Sequence, residues 1–239
     1  MKAILTGHSR GLGAAIGAEL LARDIPVLGL ARRANQALAA RFPQRLLQHE
    51  LDLGDTAALG EWLAGDALPG FLAGARSVVL INNAGIVQPV GPAAAQDPAL
   101  VAQAVTLNVA APLMLAAAVA RSQAAEKRIL HVSSGAARQA YPGWSVYCAT
   151  KAALDHHARA TVLDGVPGMR ICSLAPGVID TDMQAEIREV GSDRFPLRER
   201  FVALKREGQL TSPEDCARRL VDFLLAPGFG DNPVADLRD

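Results

Sequence analysis

The sequence predicts one α/β domain, a doubly wound parallel sheet with helices on both faces, and three observations carry that prediction. Short β-branched or Leu-rich runs alternate with longer helical ones, the pattern from which right-handed crossovers build a parallel sheet. The run Ser77-Val78-Val79-Leu80-Ile81-Asn82 is apolar without alternation, as strands covered on both faces are. The chain has 239 residues, half of them apolar, which is enough for one large core and too few for two comfortable ones.

Taken in order, Lys2–Thr6 reads as the first strand, followed by a helix over 12–23. Val27–Ala31 is the second strand and Leu46–Glu50 the third, after a short helix. Residues 77–82 form the fourth, and 128–133 and Met169–Ala175 repeat its pattern as the fifth and sixth. Between them, the Ala- and Leu-rich stretches 98–121 and 145–163 are long enough for helices. Residues 182–211 differ: they are more charged, are broken by Pro196 and Gly208, and follow a strand end. Ligands of open α/β sheets bind outside the carboxyl ends of strands, so this segment is expected to be a lid over a site.

Composition narrows the partners. Lys+Arg and Asp+Glu are both 24 and aromatic residues only 4%, which favours neither phosphate tracking nor base stacking and argues against nucleic acid. No apolar run is expected to span a membrane, and Met1-Lys2 leads straight into a strand-like run without room for a signal peptide. Cys148, Cys172 and Cys216 lack metal-ligand or redox-pair spacing and read as reduced thiols of a cytoplasmic protein. His156 and His157 lack a suitably spaced third ligand, so they read as helix surface or subunit interface and no metal is expected.

Two constellations carry chemistry. The first strand runs into Thr6-Gly7-His8-Ser9-Arg10-Gly11-Leu12-Gly13 and then a helix. Glycines there let the backbone approach a pyrophosphate lying on free N–H groups at a helix N-terminus. The second strand ends in Arg32-Arg33 where an NAD site usually places Asp or Glu, and Arg10 is a further cation; this set favours the 2′-phosphate of NADP. Asp52-Leu53, after the third strand, is positioned to hold the adenine edge. The second constellation is Tyr147 and Lys151, about one helical turn apart, where an ammonium is expected to lower the phenol pKa from about 10 into working range.

These elements together make the chain resemble the short-chain dehydrogenase/reductase family over essentially its whole length, with a Rossmann-type fold. Thr6 to Gly13 resembles its glycine motif, Asn82-Asn83-Ala84-Gly85 its strand-four motif, and Leu107-Asn108-Val109 its asparagine segment. Ser134 stands thirteen residues before Tyr147, at the family's serine position, with Ser133 as a competitor, and Pro176-Gly177 follows the sixth strand. The resemblance implies an NADPH-dependent reduction of a ketone in which Tyr147 donates the proton and Lys151 holds the nicotinamide ribose. It further implies that Ser134 orients the carbonyl, Asn108 supports Lys151 through a helix irregularity, and Ile179 and Thr181 engage the carboxamide. Gly143-Trp144-Ser145-Val146-Tyr147-Cys148, Asp180-Thr181-Asp182-Met183-Gln184 and Phe201-Val202-Ala203-Leu204-Lys205 resemble the sepiapterin reductase branch and its bacterial relatives acting on benzil-type diketones. From that branch follow a vicinal dicarbonyl or pterin side-chain ketone as substrate, Trp144 and Gly177 in its pocket, and Asp236 as anchor of a pterin edge. His8 is a departure, at the cofactor phosphates or in solvent. A homodimer or homotetramer is expected, and the Ala-rich stretch 110–120 would allow close helix packing between subunits. An NAD-linked alcohol dehydrogenase of another substrate class and a silent nucleotide-binding regulator are the alternatives.

Overall fold

The computed structural model describes the whole chain, Met1–Asp239. Seven parallel strands lie in the order β3-β2-β1-β4-β5-β6-β7. They are β1 (Lys2–Thr6), β2 (Val27–Ala31), β3 (Leu46–Glu50), β4 (Ser77–Asn82), β5 (Glu126–Val132), β6 (Met169–Ala175) and β7 (Val234–Asp236). Five strands fall where the sequence puts them; β5 starts earlier and ends one residue before the predicted limit, because Ser133 turns out of the sheet after its N–H donates to the Leu174 carbonyl.

Strand residues alternate between two cores, which explains why their sequences do not alternate in polarity. In β1, Ala3 and Leu5 face one layer and Ile4 the other; in β4, Val79 and Ile81 oppose Val78 and Leu80. The first layer is closed by α1 (Gly11–Ala22) and the amphipathic α10 (Pro213–Leu225). The second is closed by α3 (Thr56–Ala64), α4 (Ala67–Leu72) and α6 (Ala111–Ala120), with Ala158 of α7 (Ser145–Leu163). The remaining helix before β3 is α2 (Gln36–Arg41), capped by the Asn35 side chain.

The stretch 98–121 is not one regular helix. It runs as α5 (Pro98–Val105), a π-helical turn over Thr106–Ala110 whose end is marked by an Ala111 N–H to Thr106 carbonyl bond, and then α6. By length and composition Pro98–Ala120 could cross a membrane, a correction to the expectation that no run could. In the fold its Ala111, Leu115, Ala116 and Val119 cover the sheet.

Order reverses at the sheet centre: β1 pairs with β2 on one side and β4 on the other. The chain ends leaving β1 and β4 there diverge to opposite faces and open a crevice. The expected lid consists of α8 (Asp182–Glu189) and α9 (Arg198–Arg206), with Pro196 in the connection and Gly208 just past α9 at φ +68°.

Candidate active site

A cleft of about 1000 Å³ occupies this crevice and runs from the glycine loop to the lid. It brings together most of the predicted residues, which come from six strand ends, the loop before α7, α7 itself and the lid.

At the nucleotide end the wall is backbone. A Cβ on Gly13 would lie 2.0 Å from the Gly7 carbonyl oxygen, so α1 can start this close to β1 only with glycine there. Gly7 has φ +71°, and a Cβ on it would meet the Ala84 backbone at 3.0 Å. Thr6 Oγ1 accepts hydrogen bonds from Asn83 and Ala84 N–H at 2.9 Å, and Asn83 Nδ2 donates to the Thr6 carbonyl at 3.0 Å. The glycine loop is thereby stapled to the end of β4. No side chain caps the N-terminus of α1, so its first N–H groups face the cleft. Arg32 and Arg33 line the same end without a carboxylate partner. Glu50, the nearest acid in the adjoining strand, accepts from Ala34 N–H at 3.2 Å. This backbone-lined, cation-rimmed cradle fits a nicotinamide dinucleotide.

Three residues expected at this end are placed otherwise. Arg10 does line the cleft, but its guanidinium pairs with Asp182 of the lid at 2.8 Å. Asp52 turns its carboxylate onto the Gly54 N–H at 2.9 Å and leaves the wall to Leu53. His8 neither faces solvent nor lines the cleft: it is fully buried, its ring lying where a Cβ on Gly29 of β2 would collide at 2.6 Å. Its Nε2 meets Gln48 Oε1 at 2.7 Å, that oxygen accepts from Asn35 N–H, and Asn35 Nδ2 donates to the His8 carbonyl. His8 is thus a brace between the glycine loop and the Arg32-Arg33 loop. Burial lowers its pKa below 6.5. Gly29, a glycine inside a strand, was the available signal of a close approach.

At the catalytic end, α7 buries an unusually polar stripe: Tyr147, Thr150, Lys151 and Asp155 with Leu154 and Ala158. The spacing is that of an ordinary amphipathic helix, but the residue types are those of a site. Lys151 Nζ donates to the Val132 carbonyl at 2.9 Å and lies 5.7 Å from the Tyr147 ring centroid. Burial pushes the Lys151 pKa down to about 8. Burial also pushes Tyr147 up to about 12, with the neighbouring Ser134 hydroxyl pulling the other way. This reverses the direction expected for Tyr147: removing the phenolate from water outweighs the Ser134 hydrogen bond.

Asn108 sits in the π turn, a helix irregularity as expected, and locks it onto the loop after β4: Oδ1 accepts from Ile86 N–H at 2.9 Å and Nδ2 donates to the Ile86 carbonyl at 2.8 Å. Gly85 lies between, its would-be Cβ 3.1 Å from Asn108 Oδ1 and 3.6 Å from Lys151 Nζ. The two serines separate cleanly. Ser133 commits its hydroxyl to Asp155 at 2.8 Å, whereas Ser134 accepts from Ala136 N–H at 3.2 Å and keeps its own proton available on the cleft. Pro176, Gly177, Ile179 and Thr181 line the opposite wall. Trp144 stacks on Phe195 at 4.7 Å and meets Tyr147 and Phe201 edgewise or tilted, so the lid packs directly on the catalytic helix. His157 is half-buried against His131, their ring nitrogens 3.1 Å apart.

Asp236 does not line the cleft: its carboxylate is taken by Arg238 at 2.6 and 2.8 Å, and Arg238 lines the wall instead. Sequence reading missed Arg238, Arg200 and Tyr141 in that wall. Arg238 lies in the turn after β7, where its N–H also donates to Asp236 Oδ1 at 3.0 Å, so an Asp two residues before a basic residue in a turn was the signal for the pair.

Comparison with known proteins agrees with this geometry. The short chain dehydrogenase family profile matches residues 1–191. The chain belongs to that family. Its members bind nicotinamide cofactors, and this protein is an oxidoreductase of that family acting on CH–OH and C=O groups. A benzil reductase ((S)-benzoin forming) from Bacillus cereus is 34% identical over 97% of this chain and 96% of its own. A sepiapterin reductase from Meriones unguiculatus is 34% identical over 99% and 95%. A crystal structure of a short-chain dehydrogenase/reductase from Burkholderia vietnamiensis is 52% identical, covers 100% of this chain and 97% of its own, and superposes with a TM-score of 0.73. A short chain dehydrogenase from Burkholderia cenocepacia J2315 in complex with NADP is 28% identical over 98% and 94%, with a TM-score of 0.78.

Proposed function

We propose that the protein is an NADPH-dependent carbonyl reductase whose substrate is a small vicinal dicarbonyl. The observation that carries this reading is the single cleft in which the glycine cradle and the unpaired Arg32 and Arg33 are continuous with Ser134, Tyr147 and Lys151. Arg32 and Arg33 would hold a ribose 2′-phosphate, with Arg10 joining them on release from Asp182. The N–H groups opening α1 would receive the pyrophosphate. When bound, the dihydronicotinamide supplies the hydride that the carbonyl carbon accepts. Tyr147, kept protonated by burial, gives the carbonyl oxygen its proton. Ser134 donates a hydrogen bond to the same oxygen and fixes its direction before charge develops. The Lys151 ammonium above the Tyr147 ring offsets the phenolate left after transfer, and Asn108 holds the turn against which Lys151 packs. The aromatic wall of Trp144 and Phe201 suits a flat or aryl-bearing ketone. The diketone is favoured over a pterin because the carboxylate that would hold a pterin edge is already paired.

The exposed Val105 and Leu163, on α5 and at the end of α7, suit a homodimer or homotetramer, and the free thiols suit a reducing cytoplasm.

Following NADPH and NADH oxidation with benzil and a short diketone panel tests the reading. NADPH is expected to be preferred, and Arg32→Asp to lower that preference roughly tenfold or more, the size of a lost charge-assisted hydrogen bond. Equal use of both cofactors, or no oxidation with any diketone, contradicts it.

A further inference from the structure

Arg238 is held in a way that gives it a task. Its Nε and Nη2 donate to Asp236 Oδ1 and Oδ2 at 2.8 and 2.6 Å. Asp236 also faces Arg138, with Nη1 to Oδ2 at 3.8 Å. Arg138 in turn donates Nε to Asp155 at 3.1 Å and Nη2 to the Ala235 carbonyl at 2.8 Å. Asp155 is 2% exposed, one helical turn beyond Lys151, and fixed by the hydroxyls of Ser133 and Ser173 at 2.8 Å each. Alternating charges thus run from the buried face of α7 to the rim of the cleft and end on Arg238. There the side chain lies against Gly177, whose would-be Cβ is 3.6 Å from its Cδ. Nη1 makes no hydrogen bond, and the side chain is 62% exposed.

A guanidinium clamped along its Nε/Nη2 edge keeps its Nη1/Nη2 edge free, planar and charged, the geometry that matches a carboxylate with two parallel hydrogen bonds. Holding that edge in advance removes part of the rotamer cost of using it. Among the neighbouring charges Asp239 acts on Arg238 and opposes an anion, whereas Arg200 favours one. Arg200 lines the same end without a partner, and Glu186 is occupied by Gln88 at 2.8 Å. We propose that Arg238 is the cleft's second substrate anchor and that it selects oxo acids, ketones carrying a carboxylate. The proposal rests on the reductase reading for the ketone half and on Arg238 for the acid half.

Benzoylformate, its methyl ester and benzil separate the two. The three share an aryl vicinal dicarbonyl, and only the first carries a charge. With NADPH and the full chain, Arg238→Leu is expected to lower kcat/KM for benzoylformate roughly ten- to a hundredfold, mainly through KM, as loss of a charge-assisted pair should. The ester and benzil should stay within about threefold, because neither uses the charged edge. Arg238→Gln, which still donates to Asp236, should reproduce the acid-specific loss and guards against a folding defect in the leucine variant. Equal losses on all three substrates, or none on the acid, overturn the proposal. Binding of benzoylformate, read from quenching of tryptophan fluorescence, decides the matter independently of turnover. Arg238-dependent binding without any reduction would leave the anchor standing and defeat the reductase reading, while binding insensitive to Arg238, or none, defeats the anchor.

Discussion

At the nucleotide end of the cleft the wall is main chain, set by sheet register and by glycines that allow strand, loop and helix to touch; at the substrate end it is side chain, built by aromatic stacking and a relay of charges between residues far apart in sequence. Gly7 and Gly13 leave space where a Cβ would come within 3.0 Å of neighbouring backbone, and Asn83 ties the glycine loop to the end of β4 by hydrogen bonds. Trp144, Phe195, Phe201 and Arg238 act through packing and pairing that other residues could replace in kind. The first end is rigid in type and suits a ligand common to a family. The second is adjustable, which suits a variable substrate.

The comparison makes its strongest demand at Gly13. Gly13→Ala must push Cβ into the Gly7 carbonyl, which is backbone and cannot rotate away. NADPH affinity is expected to fall roughly a hundredfold or more, about 3 kcal/mol by the usual conversion, measured by fluorescence titration. A variant that binds within threefold of the parent would break the claim that the cradle is a steric necessity.

Phe195→Ala should act at the other end alone. The ring is fully buried and stacked on Trp144, so its removal is expected to destabilise the lid by about 3 kcal/mol. The readouts are a raised KM for the ketone and faster amide exchange over α8 and α9, with NADPH affinity unchanged. Equal damage to NADPH binding would show that the two ends are one cooperative unit.

A smaller effect belongs to the histidines. His131 is pushed down to about 3 by burial, then by His157 and Lys151; His8 and His157 are also lowered by burial. Their folded pKa values lie below the unfolded value, so this contribution is complete above about pH 6.5 and is lost as pH falls toward the folded value. Each adds a slope of about 1.4 kcal/mol per pH unit at most. Urea unfolding at pH 7.5 and 5.5 should show the decline, shallower in His131→Gln; no change in slope would mean that His131 is protonated in the fold.

Legibility follows the same division. Strand limits, the glycine loop, Arg32-Arg33 and the Tyr147–Lys151 turn were readable because each is set by local pattern or a fixed spacing. The thirteen-residue spacing pointed to Ser134 over Ser133; the structure places Ser134 on the cleft, while Asp155 holds the Ser133 hydroxyl inside the molecule. His8 was misread because its environment is made by Gly29 and Gln48, brought to it only by pairing of β1 with β2 and β2 with β3. Asp236 was misread because Arg138, nearly a hundred residues earlier, and Arg238 beside it determine where its charge goes. The direction of the Tyr147 shift was hidden for a similar reason: helical spacing reveals the neighbouring lysine but not the depth of burial that raises the phenol pKa.

The central claim is that Tyr147 supplies the proton in a reduction driven by NADPH. Tyr147→Phe removes one hydroxyl from a buried ring and leaves the cradle and Lys151 in place. Benzil-dependent NADPH oxidation by this variant, measured beside its NADPH affinity, tests the claim directly. The expected result is a rate lower by roughly a hundredfold or more, the usual range for a general acid, with affinity within about twofold of the parent. A variant that keeps more than about a tenth of the parent rate would mean that another group is the acid.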